Sequence, residues 1–282
     1  MSELAQWLEA LVGGRKTTQA TQRVLEVLRQ DPGGTFDLSA QKVADRADVN
    51  VASVVRAAQF LGFRGWPALK HEIRHRYLAT LSTEQVLQEH AGPHDSPARA
   101  SLDADMANLK AFAAQIDLPQ IRRIAELISK AGRTIVMATG SYAAPGAQLS
   151  HVGQYLGHDI ELHTAMSTGL VSRLRLLRPG DCVVSCAVWR STAWILEVTK
   201  LARERGASIV VIADRRTALS DLSNEAVIVP SEGVSFVTSM TAAMSATQAV
   251  VAELAALDTE ATVRNLRDIE GLWRTLSLVD PT

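Results

Sequence analysis

Six residues within ten positions have the side chains and spacing to read a nucleic-acid duplex. Ala52, Val55, Arg56 and Gln59 recur at the period of one helix face. An arginine on such a face offers two donors to the acceptors of guanine, and a glutamine bonds twice to adenine. Alanine or valine can touch a thymine methyl. Asn50 and Ser53 stand at the start of the same helix, where side chains and backbone N–H groups suit a phosphate. A second set, Ser141, Tyr142, Trp189, Arg190, Ser191 and Thr192, combines hydroxyls, flat rings and one fixed cation. That chemistry holds a small molecule. A third set, His71-Glu72-Ile73-Arg74-His75, has the spacing of a zinc protease, with two imidazoles one turn apart and a carboxylate for water. Lys70, Arg74 and Arg76 surround it with positive charge that opposes a dication, so no metal is expected.

The remaining histidines, His90, His94, His151, His158 and His163, show no ligand spacing. The chain has no Gly-x-Ser-x-Gly elbow, Walker loop or full dinucleotide fingerprint. No catalytic residue and no cofactor are expected.

The elements that must position the first set are legible. Ser39 and Asn50 are N-caps for two short helices, and Gly62 ends the second. Asp48 and Val49 form the tight turn between them, and Ala44 is small where the helices cross. Val49, Val54, Ala57 and Leu61 make the shared apolar face. This pattern predicts a helix-turn-helix with the second helix in the major groove, or else a plain three-helix interaction module. Apolar residues at spacings of three and four (Val24, Leu25, Val27, Leu28) extend the helical character upstream.

Charge is distributed unevenly. The 282 residues carry a net charge of −1, but residues 15–76 hold eleven Lys/Arg against six Asp/Glu. A surplus of five there leaves −6 for the rest, so only the first quarter suits a polyanion. With 47% hydrophobic and 21% charged residues, the chain is not disordered, and its length fits two domains. No apolar run reaches the ~18 residues of a membrane span. The start lacks a secretion signal, which makes a cytoplasmic location the expectation. Cys182 and Cys186, roughly 13 Å apart along one strand at ~3.3 Å per residue, are expected as free buried thiols.

Beyond the polar stretch 88–98 the pattern changes. Apolar β-branched runs at 134–137, 159–162, 181–186, 208–212 and 226–229 are separated by helical segments at 145–157, 166–178 and 191–205. Helices at 101–115 and 119–131 precede them, and 236–257 and 261–276 follow. Such alternation predicts a parallel five-stranded sheet in a three-layer α/β domain. The expected organisation is 1–80 helix-turn-helix, 81–100 linker, 101–260 α/β domain and 261–282 C-terminal helix.

Val49-Asn-Val-Ala-Ser-Val-Val-Arg56, followed by Phe60-Leu-Gly-Phe-Arg-Gly-Trp-Pro-Ala-Leu-Lys70, resembles the N-terminal domain of RpiR-family bacterial transcription regulators over about 5–78. Asn50 and Ser53 depart conservatively from the family's Ser and Thr, and Asp48 stands where Gly is common. Residues 101–260 resemble the SIS (sugar isomerase) domain that this family carries as a phosphosugar sensor. Arg133-Thr-Ile-Val-Met-Ala-Thr-Gly-Ser-Tyr142 and Ala202-Arg-Glu-Arg-Gly-Ala-Ser-Ile-Val-Val-Ile212 carry that likeness. The family's phosphate loops do not survive. The first reads Ala138-Thr-Gly-Ser-Tyr142 and the second Ala187-Val-Trp-Arg-Ser-Thr192. Asp214 falls where a ligand threonine often stands, and an acid there would repel a phosphate.

Three readings of that site stand open. It takes a different effector, with Tyr142, Trp189 and Trp194 as apolar surface and Arg190 as clamp. It is only a dimerisation scaffold. Or it keeps a phosphosugar through Arg190, Ser191 and Thr192. The resemblance implies a non-enzymatic regulator whose partners are an operator in double-stranded DNA, a small-molecule effector (a sugar derivative among the candidates) and a second copy, as dimer or tetramer, with no membrane. Arg74 is expected to meet phosphate. The alternative is a sugar-phosphate isomerase with an accessory helical domain. It needs a base such as His158 or Glu161.

Overall fold

The computed structural model describes residues 3–36, 38–90, 96–189 and 192–278. The chain divides into two compact units, Met1–Glu89 and His90–Thr282. The first is all helical: α1 (Glu3–Val12), α2 (Gln19–Gln30), α3 (Pro32–Thr35), α4 (Ala40–Arg46), α5 (Val51–Phe60), α6 (Trp66–Thr80) and α7 (Thr83–Glu89). Its core gathers Leu8, Leu25, Leu28, Val43, Ala44, Val54, Ala57, Trp66, Leu69 and Ile73. Thr18, Ser39 and Asn50 cap α2, α4 and α5, each accepting a backbone N–H three residues on. Asp48 takes the turn between α4 and α5 at φ 50°, a left-handed conformation that Asp tolerates better than most residues. The stretch 81–100, expected as a linker, contains α7 and the first turn of the next helix. A hydrogen-bonded start at Ser82, whose N–H bonds Gln85 and whose Oγ accepts the Gln85 N–H, explains that helix.

The second unit opens with α8 (Pro97–Gln115) and α9 (Leu118–Lys130) and alternates from there. The order is β1 (Thr134–Met137), α10 (Ala143–Tyr155), β2 (Ile160–His163), α11 (Thr168–Arg175), β3 (Cys182–Ala187), α12 (Ala193–Glu204), β4 (Ser208–Ala213), α13 (Ala218–Leu222) and β5 (Glu225–Ile228). It closes with α14 (Thr241–Leu257) and α15 (Thr259–Thr275). The strands form one five-stranded sheet in the order β2-β1-β3-β4-β5, every pairing parallel. Alternation sorts the side chains into two layers. Val136, Val184, Val210 and Val227 meet Ile121, Ile124, Leu149 and Ala246 on one face. Ile135, Met137, Val183, Ile209 and Val211 meet Leu170, Leu174, Ile195 and Val198 on the other. The fold class is therefore a helix-turn-helix unit followed by a three-layer α/β unit. Cys182 and Cys186 are free and buried on one face of β3, and burial pushes both thiols up to about 12.

Candidate functional site

Helix α5 presents Ala52, Arg56 and Gln59 to solvent and leaves Val55 half-buried. Asn50 caps the helix: its Oδ1 accepts the Ser53 N–H at 2.9 Å and the Ser53 Oγ at 3.0 Å. Ser53 in turn accepts Arg56 Nη2 at 3.0 Å. Ser53 is 5% exposed, so the hydroxyl expected to reach a phosphate is spent inside the first turn. The reason is geometric: the third residue of this helix faces its own cap.

A hollow of about 210 Å³ lies between the first turns of α2 and α5, lined by Gln19, Arg23, Asp48, Asn50 and Ser53 among others. Arg23 Nη1 reaches Asp48 Oδ2 at 2.9 Å and its carbonyl at 3.1 Å. That contact fixes the turn feeding α5, and spacing gives no sign of it because the partners are 25 residues apart. The Arg74 guanidinium lies 4.9 Å from the centre of the Phe36 ring. A planar cation stacks on an aromatic face readily, and helix α6 brings the two together. Glu72, the carboxylate of the protease-like motif, is buried and bonds Arg76 Nε at 2.8 Å.

In the second unit the chain runs from β1 outward to the edge at β2, then returns past β1 to β3. The loops leaving β1 and β3 therefore diverge, and the region outside their carboxyl ends is where sheets of this kind usually form a ligand crevice. The described members of the second residue set follow these two strands. Ser141 is exposed and Tyr142 half-buried at the end of a 3-10 turn, Gly140–Tyr142. The Tyr142 hydroxyl is 3.1 Å from Thr238 Oγ1. Trp189 follows β3 at φ 63°, a conformation that costs a bulky residue about 1–3 kcal/mol and needs support from its surroundings. Asp214 supplies it, accepting the Trp189 N–H at 2.9 Å. Thr192 is exposed at the N-cap of α12. Arg190 and Ser191 lie outside the described residues.

One expectation changes here. Asp214 is not an acid facing an anion. It is 1% exposed, and its carboxylate also takes Arg215 Nη1 at 3.0 Å and the Ser231 hydroxyl at 3.4 Å. Its charge is compensated inside the fold, and it shapes the loop instead of repelling a ligand. Trp194 is half-buried and packs one side against the core between the sheet and α11–α13.

The residues needed for an isomerase base are placed as follows. The Glu161 carboxylate bonds Arg173 Nε and sits 3.3 Å from His163 Nε2. Burial lowers the His158 imidazole below its ordinary value. Glu161 is thus committed to an ion pair on the edge strand.

Comparison with known proteins places these features. Residues 12–80 match the family model described as "Helix-turn-helix domain, rpiR family". The sugar isomerase domain of an RpiR transcription factor from Sphaerobacter thermophilus is 23% identical with a TM-score of 0.59. That match covers 61% of this chain and 97% of the other. The Vibrio vulnificus NanR protein, solved with ManNAc-6P, is 17% identical with a TM-score of 0.60, covering 97% of this chain and 99% of its own. A proposed sugar-phosphate isomerase of Listeria monocytogenes is 12% identical with a TM-score of 0.51, over 64% and 95% of the two chains. At these identities the likeness establishes the fold.

Proposed function

Because the chain carries an rpiR-family helix-turn-helix domain over residues 12–80, we propose that it is a DNA-binding transcriptional regulator, not an enzyme, whose SIS-like unit self-associates and senses a small molecule. The observation that carries this reading is the outward row Ala52, Arg56 and Gln59 on the capped helix α5. Asn50 and Val55 flank that row, and Ser53 serves it through the cap. The exposed members enter the major groove, where Arg56 addresses a guanine and Gln59 an adenine. The effector sits at Ser141, Tyr142, Trp189 and Thr192, and Arg190 and Ser191, which stand between the last two in sequence, are the cation and hydroxyl proposed to hold it. A sugar derivative fits the folds it resembles, and NanR was solved with a sugar phosphate. The lost phosphate loops favour an effector different from the usual one.

Coupling follows from linkage. An effector that favours one arrangement of two copies changes whether their two reading helices match the half-sites of an operator. Location in the cytoplasm follows from that role. No helix among the described residues is long and apolar enough to cross a membrane. The test is selection of bound sequences from a random duplex pool, followed by gel shift at fixed salt. The outcome expected is a two-fold related site bound by the wild type. Absence of any sequence-selective shift sinks the reading. A thermal-shift screen against phosphosugars, sugar acids and aromatic metabolites tests the crevice, and a flat result leaves the second unit as a scaffold.

A further inference from the structure

The turn that leads into α5 carries an acid where the backbone would sit more easily without a side chain. Asp48 stands at φ 50°, a left-handed conformation that glycine adopts freely and Asp only tolerates. Its side chain is 95% exposed, yet its carboxylate accepts Arg23 Nη1 at 2.9 Å. The Asp48 carbonyl accepts the same nitrogen at 3.1 Å. Water screens a pair this open, so its worth to the fold is small.

Its place matters more. The pair borders the hollow between α2 and α5, with Gln19 and Ala20 on one side and Asn50 and Ser53 on the other. A helix that enters the major groove by its first turn carries its cap to the groove's rim, where the phosphates run. Arg23 is thereby set at the rim with its guanidinium already on a carboxylate. Carboxylate and phosphate offer a guanidinium the same pair of acceptor oxygens.

We propose that Asp48 stands in for a DNA phosphate on Arg23. The free protein keeps this cation neutralised, and a duplex must take it from Asp48 before it gains the contact. Only the difference between the two bonds reaches the affinity, so binding to every sequence is held down. The inference deepens the DNA binding of the proposed function and rests on it. A second pair on the same helix supplies a matched control, Arg29 with Glu9. Arg29 lies at the other end of α2 from Gln19, about 15 Å along the axis at ~1.5 Å per residue. That exceeds the screening length of about 8 Å at physiological salt.

Fluorescence anisotropy of the full chain on a mixed-sequence duplex at four salt concentrations tests the competition, with circular dichroism melts to confirm folding. Asp48→Asn keeps the shape and removes the charge. It should tighten binding about three- to tenfold and steepen the slope of log K against log salt by about one. Asp48→Gly, which suits the turn's backbone, should do the same. Glu9→Gln adds the same charge to the unit away from the rim and should change affinity by less than about twofold. Arg23→Ala should cost at least about threefold more on the Asp48→Asn background than on the wild type, the coupling that competition requires. No gain from either Asp48 variant, or weaker binding, makes the pair a brace for α5 and overturns the proposal. So do additive effects of Arg23 and Asp48, or an equal gain from Glu9→Gln. A wild type and Asp48→Asn chain that bind no duplex sink the DNA-binding reading as well, whereas binding with additive effects sinks only the competition.

Discussion

Arg56 commits one of its donors to Ser53 Oγ and keeps its guanidinium in solvent, the geometry that lets a fork reach two acceptors on a base edge. Arg56→Ala should therefore cost about 1–3 kcal/mol at one base position and little elsewhere. Competition against single-base operator variants at fixed salt measures it, and an equal loss on every sequence would reassign Arg56 to phosphate. Asp214 makes the opposite case. Its sequence position gave the sign of the charge, but its partners Trp189, Arg215 and Ser231 meet it through the fold, two of them from 25 and 17 residues away. Removing it strands a cation that is mostly buried, so Asp214→Ala should lower stability by about 3 kcal/mol. A urea midpoint unchanged from wild type would show that the carboxylate holds nothing.

Among the elements, the strands were legible because both faces of the sheet are covered and each run stays apolar throughout. Helix α5 was legible from its caps, Asn50 and Gly62, the glycine standing at φ 93°. The segment before α14 was not. Expected helical from 236, it turns tightly at Gly233, where a Cβ would come within 2.3 Å of the Val237 carbonyl oxygen, and the helix begins at Thr241. Apolar periodicity does not register a backbone folded back on itself.

Edge strand β2 carries a consequence for pH. His163 is buried at its carboxyl end, and burial lowers its pKa, with Glu161 raising it and Arg173 lowering it further. The unfolded chain protonates this group near about 6.5, above the folded value, so in acid the unfolded state binds more protons. Stability is then complete above that pH and declines as pH falls through the window down to the folded pKa. Urea midpoints from pH 7 to pH 5 should fall less steeply for His163→Gln than for the wild type. Parallel slopes would remove His163 from the account.

At the scale of the whole chain, a net charge of −1 conceals a surplus of five positive charges within residues 15–76. Affinity for DNA should accordingly fall steeply with salt, because each phosphate neutralised releases condensed counterions. The slope of log K against log salt is about −0.9 per phosphate. Lys42 stands exposed in the first turn of α4, the helix before α5. Lys42→Ala should weaken every sequence alike and flatten the slope by about one. Lys130, exposed at the end of α9 in the acidic remainder and 3.8 Å from Glu126, should change neither quantity when replaced by alanine. Titrations at four salt concentrations decide between them. An equal change of slope for both lysines would mean that the polyanion is met by the chain as a whole, and the division of labour drawn from its charge would be lost.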